Sequence, residues 1–166
     1  MNAVDILKYG HLTVLQTLDG FSESAWDTPG ACGVWSVKDI IAHLASYEQV
    51  LVDVLTTFLG GGSTPSFTRF AESGNQFNDS EVAVRKEKTV KEVLEEFKDA
   101  HDQVVSMVVQ ISPETLRQTG TLPWYGMEYA LDDLLVYMYY GHKREHSAQI
   151  AAFRDHLRER SKKAPL

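Results

Sequence analysis

WSVKDIIAHLASYEQVLVDVLTTFLGGG, residues 35–62, reads as one long amphipathic helix with a marked start and stop. Ser36 stands in the N-cap position, and Asp39 three residues on takes the place of the usual Glu of a capping box. Trp35, just before the cap, is placed to pack on Ile40 as a hydrophobic staple. Ile40, His43, Tyr47, Val50 and Val54 recur at three- and four-residue steps and so share one face. Gly60 to Gly62 end the run, read as a helix stop rather than a lid hinge.

Upstream, Val4, Leu7, Leu12, Leu15 and Leu18 give a helical pattern over residues 2–21. A loop rich in Gly, Pro, Ser and Thr then leads to Gly33. Downstream, STPSFTRFAESGNQFNDS reads as a loop anchored by Phe67, Phe70 and Phe77, followed by a short helical piece over 80–88. TVKE at residues 89–92 is a capping box, and Val93, Leu94, Phe97, Ala100, Val104, Val105 and Val108 form the apolar face behind it. Pro113 ends that run. TGTLPWYGMEY is a compact connector, and a last helix covers residues 130–160. No strand alternation and no βαβ pattern is present. The expected fold is all-α, a four-helix bundle formed as a single domain over residues 1–166.

The bulk properties exclude several classes. A chain of 166 residues can bury a real core. Its net charge of −7 argues against a nucleic-acid partner, which needs clustered cations. The one basic cluster, Arg158 to Lys163, reads as cations favoured at a helix C-terminus. No apolar run approaches the ~18 residues of a membrane span, and the N-terminus lacks the pattern of a signal peptide. The expected location is the cytoplasm. With Cys32 as the single cysteine there is no internal disulfide and no CxxC knuckle, so any metal falls to histidines and carboxylates. Cys32 precedes a helix start, where thiols are activated, but has no histidine beside it in sequence.

Six histidines are present. GHKREHSAQI, residues 141–150, sets His142 and His146 four apart, on one helix face, with Cβ atoms about 6 Å apart. Leu135 and Phe153 share their stripe, so the pair faces the core or a cleft. Two buried imidazoles are costly unless partnered. His43, on the apolar face of the second helix, supplies a third imidazole from a facing element, the way bundles build metal sites. Three protein ligands leave positions open for water or substrate. His11 reads as a core or supporting residue, His101 beside Asp102 as exposed, and His156 as a solvated helix-end residue. HKREH also fits the H-x-x-E-H zinc-protease pattern with Glu145 as base. The distant third ligand and the lack of any strand to align a peptide weigh against it. Gln149 is three residues beyond His146 and suited to hold a ligand ring or touch a substrate. Asn75, Trp124 and Tyr125 lie on connectors that suit a small-molecule pocket. Trp124 is read in the first place as a core plug. Of Tyr137, Tyr139 and Tyr140, Tyr139 falls on the stripe of His142 and is the candidate phenol beside a metal.

WSVKDIIAHLASYE followed about a hundred residues later by HKREHSAQI resembles the DinB-like (DinB/YfiT-like) metalloenzyme superfamily, in helix order along the whole chain. TGTLPW and the stretch around VAVRKEKTVKEVLEEFKDAH are similar to its ClbS/DfsB-type subgroup. The resemblance implies a four-helix bundle, often a homodimer. It implies a divalent metal, usually zinc or nickel, on His43, His142 and His146. Relatives include transferases and isomerases that use a low-molecular-weight thiol such as mycothiol, bacillithiol or glutathione. ClbS-like members are linked to protection against a genotoxin and often lack a full ligand set, which this chain keeps. Two functions are expected from this. One is a metal-dependent hydrolase or thiol transferase acting on a small molecule. The other is a non-catalytic protein that binds a hydrophobic small molecule protectively.

Overall fold

The computed structural model describes residues 2–163; the remainder of the expected 1–166 domain lies outside the described residues, as does the side chain of Lys163 in the basic cluster. The elements are α1 (Ala3–Leu18), α2 (Val37–Phe58), α3 (Pro65–Ser73), α4 (Phe77–Ala83), α5 (Val90–Val108), α6 (Pro113–Leu116), α7 (Leu131–Leu134), a π-helical segment (Leu135–Gly141) and α8 (His142–Lys163). Two 3₁₀ turns, Glu23–Ala25 and Gly74–Gln76, join them. No β-strand occurs among the described residues. The four long helices of the bundle are α1, α2, α5 and the composite run from α7 through α8.

Local chemistry accounts for the ends. Ser36 and Asp39 form a reciprocal capping box on α2, and Thr89 and Glu92 form another on α5, each satisfying two backbone N–H groups that a helix start leaves bare. Asn2 caps α1 through its side-chain oxygen. Residues 63–79 depart from the expected loop. Pro65 at the first helical position starts α3, and Gly74, at φ +50°, closes it. The short piece expected over 80–88 is α4, which starts earlier, at Phe77, and ends at Ala83.

The core divides into two apolar halves. One contains Leu7, Leu51, Val104 and Tyr139. The other contains Val14, Leu44, Phe97 and Ile150. These residues fix the chain direction: α1 and the composite helix run from the first half to the second, while α2 and α5 run back. α2 and α5 are therefore parallel neighbours, and the segment carrying α3 and α4 is the long crossover such a pair requires. Between the halves the long helices place buried polar residues, among them His11, Glu48, His101 and Lys143.

Two expectations about α1 and α5 need correction. Leu12 is largely exposed, and the inward stripe of α1 passes through His11 instead. His101, expected in solvent, is 4% exposed; Asp102, one residue and about 100° further round α5, is the exposed one. His156 is solvated as expected.

Candidate metal centre

The α2 capping box sets the start of that helix and so the rotation at which His43 emerges. The π segment does the same for the other side. In it the backbone N–H of His142 bonds to the Tyr139 carbonyl. A Cβ at Gly141 would stand 3.3 Å from the Val136 carbonyl, so the wide turn takes a glycine there. π turns recur at functional sites because they re-aim the side chains of the next helical turn.

The result is convergence. His43 Nε2 and His146 Nε2 each lie 2.9 Å from His142 Nε2, and one donor nitrogen from each of the three falls within 4.8 Å of the others. Tetrahedral metal–nitrogen bonds of 2.0–2.1 Å call for separations of about 3.3 Å. Ring orientation supports this fit. Gln149 Oε1 accepts from His146 Nδ1 at 2.8 Å, which leaves the Nε2 lone pair of His146 facing the common point. His43 Nδ1 is buried with no hydrogen-bond partner among the described residues.

All three imidazoles are neutral at physiological pH, the form in which they bind metal. Burial lowers His43 to about 2, with the neighbouring His142 and His146 adding to it. Burial and the His146 neighbour lower His142 to about 4. Burial also lowers His146, while the Gln149 hydrogen bond pulls the other way.

Trp35 does not serve as the expected staple alone: its ring is 5.0 Å from that of His43, forming one wall of the cluster. The opposite wall is Tyr47, with ring centroids 4.8 Å from both His43 and His142. Its hydroxyl donates to Asn78 Oδ1 at 3.1 Å, and burial raises its pKa, so the phenol stays protonated. In the sequence Tyr47 is marked only as one more residue of an apolar face. Tyr139, the phenol expected at the metal, is sealed in the apolar core, and this is a correction.

Tyr47 also lines a cavity of about 550 Å³ with Phe67, Phe70, Asn75, Asn78 and Trp124. Trp124 is 38% exposed and packs at its rim against Phe67 with tilted rings, 5.0 Å between centroids, so it is a wall and no core plug. Asn75, on the turn between α3 and α4, is exposed at the same cavity. Tyr125 packs beside Trp124. A larger cleft of about 620 Å³ near Phe21 and Arg158 has no histidine in its lining. Glu145, the base of the protease pattern, points to solvent. Cys32 is half-buried in the turn that pairs with Trp35.

An all-α bundle with three inward imidazoles beside an aromatic cavity defines a class of helical proteins with a potential metal site. Residues 11–150 match the DinB superfamily, and the chain belongs to it. No curated protein and no solved structure matches it. No helix among the described residues is long and apolar enough to cross a membrane.

Proposed function

We propose that this chain is a divalent-metal-dependent enzyme acting on a small molecule, with zinc or nickel held by His43, His142 and His146. The observation that carries the reading is the convergence of three neutral Nε2 atoms at 2.9 Å steps beside a cavity. When bound, such an ion lowers the pKa of a water or thiol in its open position, which suits hydrolysis or transfer to a low-molecular-weight thiol.

The chain's own residues do the rest. Gln149 holds the His146 ring by its outer nitrogen. Phe67, Phe70 and Trp124 offer aromatic faces to a flat, apolar substrate body, and Asn75 offers an amide at the rim. No charged residue lines this cavity, which favours an uncharged substrate portion there. Tyr47, held by Asn78, keeps its proton between cavity and imidazoles and is suited to donate a hydrogen bond to a substrate oxygen. The aromatic cavity equally supports a second reading, protective binding of a hydrophobic molecule without turnover, as in ClbS-type proteins.

Metal analysis of protein purified without a histidine tag separates the two. The enzyme reading expects about one zinc or nickel per chain, lost in His43→Ala. Protein that carries no metal, takes up none from a buffered zinc solution and is indifferent to chelator removes the enzyme reading.

A further inference from the structure

We infer that the buried Glu48–Lys143 ion pair positions α2 against α8 so that the three imidazoles converge. It is a positioning pair, acting through His43 and His142, and its purpose rests on the metal reading above. Glu48 lies five residues beyond His43 on α2. Lys143 follows His142 on α8. The two side chains form a salt bridge with 0% and 2% of the residues exposed, respectively.

The surroundings make this pair a junction of the whole bundle. The second Glu48 oxygen is 3.4 Å from His101 Nδ1 on α5. The His101 ring stacks flat on His11 of α1, 3.8 Å between centroids and 3° from parallel. The Lys143 stem passes α1 at Gly10, where a Cβ would come within 3.3 Å of its Cδ, and its ammonium lies 5.9 Å from the centre of the Phe97 ring. All four long helices meet at this layer, between the two apolar halves of the core.

Stability does not explain the pair. Taking two charges out of water costs about what their attraction returns, and apolar residues of the same size serve a core as well or better. What apolar packing cannot do is forbid small slips along the helix axis. α2 rests mainly on α5, and α1 mainly on the composite helix, so the seam that carries the ligand histidines is not itself a major packing seam. A slip of α8 by one residue moves it about 1.5 Å, which is far outside the tolerance of a metal site. With Glu48 and Lys143 in place, the same slip strands two buried charges, the costliest arrangement available to the core. The pair therefore converts a loosely specified seam into one register.

The test is the double variant Glu48→Leu/Lys143→Met, studied as the full chain. The expected result is a cooperative fold with a Tm equal to or above that of the wild type, together with Co²⁺ affinity at least tenfold weaker and a changed Co²⁺ absorption band. In chelator-treated protein, nuclear Overhauser contacts between the His43 and His142 rings are expected in the wild type and lost in the variant. Wild-type Co²⁺ affinity and intact ring contacts in a folded double variant would overturn the inference. If the wild type binds no Co²⁺, the metal reading fails, and the ring contacts still decide the register claim. Should the double variant not fold, Glu48→Asp decides by the same readouts. It keeps both charges and withdraws the carboxylate by one methylene, so weakened Co²⁺ binding and ring contacts at little change in Tm support the pair, and unchanged values refute it.

Discussion

Two groups of histidines sit in this bundle, and they are held in opposite ways. His43, His142 and His146 meet edge to edge, nitrogen against nitrogen. His11 and His101 meet face to face, with ring planes 3° apart. Burial does not separate the groups, since His11 and His43 are both buried. Charge state does not separate them either: burial lowers His11 to about 3 and His43 to about 2. The separation lies in where the lone pairs point. Stacked rings direct their nitrogens outward in parallel planes and cannot share an ion between them. Converging rings, with the outer nitrogen of His146 tied to Gln149, point three acceptors at one place. Residue type and burial alone would count five candidate ligands; geometry keeps three.

The sharpest way to break this comparison is to remove one imidazole from each group. His43→Ala is expected to lower zinc affinity at least a hundredfold, because two nitrogens cannot enclose the ion. His101→Phe keeps an aromatic ring on His11 and is expected to leave zinc affinity within about threefold, at a cost in Tm from the lost neighbour of Glu48. Competitive zinc titration against a chromophoric chelator measures both. Equal losses in the two variants would erase the distinction.

Much of this is legible in the sequence, for reasons that differ by residue. The two capping boxes are readable because they depend on side chains three residues apart, a local matter. The ligand set is readable because an i, i+4 pair and one more imidazole on an apolar face leave few alternatives. His101 is easily misread although the signal is present: Phe97, His101, Val104 and Val108 lie at four-, three- and four-residue steps, the same stripe. Its polarity conceals the pattern, since the group that makes its burial tolerable, Glu48, comes from another helix. Leu7, His11, Val14 and Leu18 repeat the lesson in α1. The helix α3 escapes a sequence reading, and the start of α4 is placed late, because two turns are too few for periodicity to stand out. Tyr139 and Tyr47 depart from their expected roles, one buried in the apolar core and the other against the imidazoles, and no composition rule marks where a π segment falls or which residue of an apolar face meets a facing helix.

A finer break concerns what holds the converging rings. Gln149→Leu keeps volume and removes the acceptor for His146 Nδ1. Loss of such a supporting hydrogen bond is expected to weaken zinc binding roughly 10- to 100-fold. The fold should be retained, since Gln149 is only half-buried at the edge of α8. Affinity equal to that of the wild type would mean that packing alone orients the ring.

The smallest effect tests the stacked pair through pH. Burial, reinforced by the His101 and Lys143 neighbours, lowers His11 from 6.5 to about 3. Its folded form therefore refuses a proton that the unfolded chain accepts below pH 6.5. Stability from this residue is complete above 6.5 and is lost as the pH falls toward 3, by about 1.4 kcal/mol per unit. Between pH 7.5 and 5.5 that is roughly tenfold in the folding equilibrium. His11→Phe preserves a ring for His101 and Phe97 to pack on while removing the titrating group. Urea unfolding at a series of pH values should show the variant losing about half a proton, on average, from the linkage slope in that window. The converging histidines, also depressed by burial, keep the remaining slope in the metal-free protein. An unchanged slope would mean that the unfolded chain gains nothing by protonating His11, and that the ring inside the bundle is already free to take up charge.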